Sequence, residues 1–179
     1  MKDPRDHLAA AVGAIFPLDF KLHNYQNQQV LYLEDQPQTL FLEITNRGQK
    51  NVVVPGDTEP FELHFRPGTL AEPEQVRAAE PDPSSEDLAG WKVRHLREAD
   101  GSDLLRFSRP SGKGGDQSYM LAPGENLRLR LEGFHADRRG GSRSTRVQLC
   151  YDLRYDRRNP LRGSRLHDLA VLQIDESEM

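Results

Sequence analysis

The residues with the most reactive side chains are six histidines, one cysteine and a run of arginines. A metal centre would announce itself through close-spaced ligands such as H-x-H, H-x-x-x-H or H-E-x-x-H. His7, His23, His64, His95, His135 and His167 form no such pair. Cys150 stands alone, so the chain makes no internal disulfide. Its place opposite Leu149 and Tyr151 in an alternating run marks a half-buried structural cysteine, with no base in view to generate a thiolate. Ser111-Gly112-Lys113-Gly114-Gly115 lacks the earlier glycine and the following helix that a phosphate-cradling loop requires. A G-x-S-x-G nucleophile turn is absent too. The expectation is therefore no catalytic residue, no metal ligand set and no cofactor.

Charge is the stronger signal. From Arg128 to Arg165 there are 11 arginines against 4 acids, whereas Asp57 to Asp103 holds 12 acids against 5 bases. One reading is a pair of solvated segments of opposite sign that face each other. The other is a basic surface that meets an acidic protein partner. On that second reading the contact residues are Arg138, Arg139, Arg143, Arg157, Arg158 and Arg162, in two connections flanking one strand. Arginine suits the task because its planar fork pairs bidentately with carboxylates. A strand of nine or ten residues would hold the two clusters about 30 Å apart, so a partner is expected at one end only. Nucleic acid is disfavoured. Of Phe134, Tyr151 and Tyr155, the two tyrosines fall on the apolar face, where bases cannot stack, and the pI is near 5.9.

Those arginines are positioned by strands. Leu127, Leu129 and Leu131 alternate with Arg128, Arg130 and Glu132; Val147, Leu149, Tyr151, Leu153 and Tyr155 alternate with polar neighbours. Period two over such lengths predicts strands with one buried face. Leu121 to Tyr155 reads as strand, loop, strand, and predicts two neighbouring antiparallel strands. Similar alternation marks Leu18–Leu22, Val30–Leu33, Leu40–Ile44, Val52–Val54, Phe61–Phe65, Trp91–Val93, Leu105–Phe107 and Leu169–Ile174, with turns such as Asn46-Arg47-Gly48 between them. About nine or ten short strands without crossover helices favour an all-β sandwich or barrel, and a sandwich is the expected fold. Residues 1–17 are expected to form a short helical extension, and residues 18–179 one sandwich domain with long polar loops. Those loops are Gly68 to Gly90, with one helical turn around Glu74 to Ala79, then Ser108 to Ser118 and Arg157 to His167. The 36% apolar content implies a thin core, and no stretch reaches membrane-spanning length. With one cysteine and no signal-peptide pattern, a cytoplasmic location is expected.

Leu40-x-Leu42-x-Ile44-Thr45-Asn46, Phe61-x-Leu63-x-Phe65, Leu121-x-Pro123-Gly124-Glu125, Leu127-x-Leu129-x-Leu131 and Val147-x-Leu149-x-Tyr151 together resemble bacterial immunoglobulin-like β-sandwich modules. The strand ending in Thr-Asn and the Pro-Gly-Glu before a strand are also similar to bacterial intracellular proteinase-inhibitor sandwiches. The resemblance implies an immunoglobulin-like antiparallel fold and a binding role, and it identifies no functional residue. The expected function is a non-enzymatic protein-interaction or accessory module that binds a protein partner through loops or a strand edge. The alternatives are a hydrolase or other enzyme with a loop-built site, and nucleic-acid binding through residues 128–165. An extended loop or an open apolar strand edge would favour the binder; a cleft with converging carboxylates or a metal would favour the enzyme.

Overall fold

The computed structural model describes residues 17–55, 58–78, 91–108 and 119–174. The helix expected over 1–17 falls almost wholly outside them, and Pro17 itself is non-helical. In chain order the strands are β1 (Leu18–His23), β2 (Val30–Leu33), β3 (Gln38–Asn46), β4 (Val52–Val54), β5 (Phe61–Phe65), β6 (Arg77–Ala78), β7 (Lys92–Arg97), β8 (Asp103–Ser108), β9 (Tyr119–Leu121), β10 (Asn126–Phe134), β11 (Arg143–Arg154) and β12 (Pro160–Gln173). Each is built from apolar residues two apart, whose side chains must share a face.

Two sheets result. One has the order β1-β3-β10-β6; the other runs β2-β12-β11-β5-β8-β7, with β4 joining β11 to β9. The spatial orders β1-β3-β10-β6 and β12-β11-β5 match the four-strand and three-strand sheets of the immunoglobulin sandwich. The match departs from that pattern where β6 precedes β7 and β8 in the chain and where β2, β4 and β9 add to the second sheet. Leu18, Phe20, Leu22, Leu40, Leu42, Ile44, Leu127, Leu129 and Leu131 from the first sheet meet Phe61, Leu63, Phe65, Val147 and Leu149 from the second, all buried. Phe134 on β10 packs against Phe65 on β5 at 6.2 Å, joining the sheets through an aromatic pair.

The sequence motifs meet at a buried joint. Asn46, with no exposed surface, donates its side-chain amide to the carbonyls of Leu121 and Lys50. Its backbone carbonyl accepts from Gly124 N–H, and its N–H donates to Glu125 O. Gly124 sits at φ +83°, which a side chain would oppose. The Thr-Asn and Pro-Gly-Glu elements are thus two halves of one strand-end clasp.

Four expectations are corrected. β10 and β11 are not neighbours: β10 pairs β3 and β6, whereas β11 pairs β12 and β5. Alternation shows which face is buried, and both strands bury theirs in one core from opposite sheets. The sandwich is not wholly antiparallel, since β2 lies parallel to β12. Residues expected as a basic loop up to His167 are strand from Pro160, because the long β11 templates its partner from Arg154↔Pro160 to Arg143↔Val171. Finally, the turn expected around Glu74 to Ala79 is not helical: Arg77–Ala78 pairs with β10, and buried Leu70 and Val76 anchor the segment to the core.

Candidate functional site

The six candidate arginines divide between the two ends of β11, as expected, but in different states. At the first end Asp137 caps a 3-10 turn over Arg138–Gly140 by accepting from Arg139 N–H. The Arg139 guanidinium grips the same carboxylate through Nε and Nη2. That hydrogen bond, opposed by burial and aided by the charges of Arg139 and Arg143, holds the Asp137 carboxyl down at about 2. Arg138 bridges to Asp35 at 2.5 Å. Arg143 donates to the carbonyls of Gly141, Gly68 and Asp137, closing three backbone acceptors. These three side chains make their contacts within the chain, although Arg138 and Arg139 stay exposed.

At the other end Arg157 and Arg158 are exposed on the β11–β12 turn, which Asp156 ties by accepting from the N–H groups of Arg158 and Asn159. Arg162 lies opposite Asp152 and pairs with it at 2.9 Å, both largely exposed. Together with Arg154, Glu59 and Asp156 they line a basin of about 310 Å³.

From this turn runs a feature absent from the sequence reading. On its side away from β11, β12 is paired only over Ala170–Gln173, by β2. From Leu161 to Leu169 that side carries no paired strand among the described residues. Nine residues span about 27 Å of backbone whose outward N–H and C=O groups have no strand partner. Gly163 lies third along it, where the Tyr151 ring occupies the place of a side chain: a Cβ there would sit 2.5 Å from the Tyr151 hydroxyl.

Beside this edge, Asp19 of β1 reaches His167 at 2.7 Å and Arg165 at 3.4 Å. Burial pushes the Asp19 carboxyl up. The His167 hydrogen bond, the Phe20 N–H and the charges of His167 and Arg165 outweigh it and leave the carboxyl below its ordinary value. A polar cleft of about 510 Å³ opens here, lined also by Lys21, Gln29, Glu43, Thr45, Arg47 and Asn126. An imidazole oriented by a carboxylate is a positioned proton acceptor. Yet the Thr45 hydroxyl, the alcohol lining the cleft, donates to Asn126 Oδ1 at 2.6 Å and is not aimed at His167. Cys150 faces the opposite side of its sheet, and burial followed by the Glu62 charge pushes its thiol up, away from nucleophilic use.

A second pair is closed. His95 and Asp103 have wholly buried side chains and meet at 2.8 Å. His95 Nδ1 accepts from the N–H of Gln75, and Arg97 completes the Asp103 carboxylate while donating to Leu70 O. This cluster fastens the 70–78 segment onto β7 and β8. The cleft pair and the strand edge were missed because both join residues far apart in sequence. The aromatics weighed in the basic segment are also placed: Phe134 and Tyr151 are buried and offer no ring to solvent.

Among the described residues no helix is long and apolar enough to cross a membrane. The chain matches no protein-family model and no curated protein. Solved structures with partial likeness include AvmM, described as catalysing macrocyclization in alchivemycin A biosynthesis (10% identity, TM-score 0.47, covering 91% of this chain and 93% of that one). A second is the C-terminal domain of the Streptococcus agalactiae AgI/II polypeptide BspA (12%, 0.41, 89% and 51%). A third is a CBM3 module of Hungateiclostridium clariflavum (10%, 0.41, 88% and 97%). At these identities and scores none of them assigns a role to any residue of this chain.

Proposed function

We propose that this protein is a protein-interaction module that captures an extended, acidic segment of a partner along β12. The observation that carries this reading is the unpaired edge from Leu161 to Leu169. An added strand would complete its backbone hydrogen bonds, and alternate side chains would supply specificity. The edge and its turn carry Arg157, Arg158, Arg162, Arg165 and His167, against which an acidic segment is complementary. The same charges blunt edge-to-edge aggregation when no partner is present. Arg138, Arg139 and Arg143 lie at the far end of β11 and serve as the internal control.

Proteins of the native host captured on the immobilised chain test the reading. A species retained by wild type and by Arg138→Glu/Arg139→Glu, but lost from Arg157→Glu/Arg158→Glu, is the expected outcome. Amide exchange of the purified complex should then show new protection between Leu161 and Leu169. A complex that leaves those amides unprotected places the contact elsewhere.

A further inference from the structure

The outer face of the four-stranded sheet carries an aromatic and cationic patch that the partner-capture reading does not use. Outward positions of β1, β3 and β10 form cross-strand rows: Lys21–Glu43–Arg128, then His23–Phe41–Arg130. A phenylalanine at the centre of a wet face calls for cover, and Phe41 is only 3% exposed. Its cover is built from side chains of particular chemistry. The Arg128 guanidinium lies 4.2 Å from the Phe41 centroid, His23 stacks on the ring at 5.5 Å, and Tyr25 meets it edge-on at 5.2 Å.

Tyr25 itself is 67% exposed, the most exposed large apolar side chain among the described residues. It is held in place. Asn24 ties the loop by accepting from the N–H groups of Gln26 and Gln28, and Asn27 takes the left-handed conformation. Arg130 donates to the Tyr25 hydroxyl at 2.8 Å. A rigid ring thus stands open to solvent with a guanidinium at its rim.

The charge around it is cancelled only in part. Glu43 accepts from His23 at 2.8 Å, and Glu132 pairs with Arg77. Asp19, at the margin, is turned onto His167 and Arg165. Lys21 and Arg130 instead hydrogen-bond neutral groups, the Asn27 amide and the Tyr25 phenol, although Glu43 lies directly across from Lys21 on β3. β1 and β10 flank β3, so these cations stand about 10 Å apart across the sheet, with the exposed ring beside them.

We infer that this face binds single-stranded nucleic acid, with a base stacked on Tyr25 and phosphates on Lys21 and Arg130. An acidic peptide would use the cations but leave the open ring without a role. A base with its phosphate uses both, and every base offers a π-face. Tyr25 and Arg130 lie on the sheet opposite to β12, although Lys21 also lines the cleft beside the β12 edge.

The test is fluorescence anisotropy of the full chain with an oligothymidylate of about a dozen nucleotides at about 50 mM salt, where phosphate contacts are strong. Inorganic polyphosphate is the competing probe. Tyr25→Ala should weaken oligothymidylate binding at least about five-fold, the low end for one lost stack. Tyr25→Phe should restore most of it, and polyphosphate binding should be unchanged by either. Arg130→Ala should weaken both probes, and Arg157→Glu/Arg158→Glu should not selectively remove the Tyr25 effect. Absence of oligothymidylate binding overturns the inference. So does binding indifferent to Tyr25→Ala, which would mark a general polyanion surface, and so does tighter binding of an acidic peptide lost with Tyr25.

Discussion

Two histidine–aspartate pairs of nearly equal length do different work. His95–Asp103, at 2.8 Å, has no exposed side-chain surface and is closed by Arg97 and the Gln75 N–H. His167–Asp19, at 2.7 Å, is 29% exposed on both sides and lines a cleft beside an unpaired strand. Burial decides the outcome. A carboxylate sealed from water needs every partner it has, and losing one leaves charge stranded. A carboxylate at a wet seam exchanges its partner for water at little cost. The first pair is therefore a fastening, and the second is a surface on which partners can act.

The comparison breaks most directly at Asp103. Asp103→Ala strands buried His95 and should cost about 3–5 kcal/mol in denaturant unfolding. A loss under about 1 kcal/mol would remove the distinction between the two pairs.

Gly163→Ala comes next. It pushes a methyl into the Tyr151 hydroxyl behind the open edge, and overpacking there should cost about 1–3 kcal/mol. An unchanged midpoint would mean that the tyrosine ring yields freely and does not back the edge.

Asp137 lies between the extremes, since its carboxylate is nearly buried while Arg139 is 86% exposed. Asp137→Asn keeps a capping oxygen but loses the charged grip on the Arg139 guanidinium, and should cost about 1 kcal/mol at neutral pH. The sign of the pH dependence follows from the folded carboxyl lying at about 2, below its ordinary 3.8. The stabilisation is complete above the ordinary value and is lost as pH falls from about 4 through about 2. Wild type and variant should converge at the acid end; a constant gap down to that pH would contradict the assignment.

The smallest effect belongs to the open pair. A double-mutant cycle of Asp19→Asn and His167→Gln should return a coupling below about 1 kcal/mol. The Asp19 carboxyl is also lowered, so whatever it contributes fades as pH drops below 3.8. A coupling above about 2 kcal/mol would make the seam a fastening like the first pair.

Much of the fold was legible because alternation records burial. Leu127, Leu129 and Leu131 on β10 and Val147, Leu149 and Tyr151 on β11 are all buried where the pattern put them. The two arginine clusters were correctly placed at opposite ends of one strand, since length alone sets that separation.

Strand partners were not legible. β10 and β11 obey the same pattern whether they are neighbours or face each other across the core, because period two carries no information about which edge pairs with which. The free edge of β12, the Asp19–His167 seam and the sealed His95–Asp103 cluster each depend on that pairing. His167 lies 148 residues from Asp19 and His95 eight from Asp103, yet neither spacing hints at contact. Composition and alternation determined that this chain must fold as a sandwich. Which carboxylate is buried, which arginine is engaged and which backbone stays open were decided only when the two sheets closed, since desolvation is a property of what lies on every side of a group and not of its neighbours along the chain.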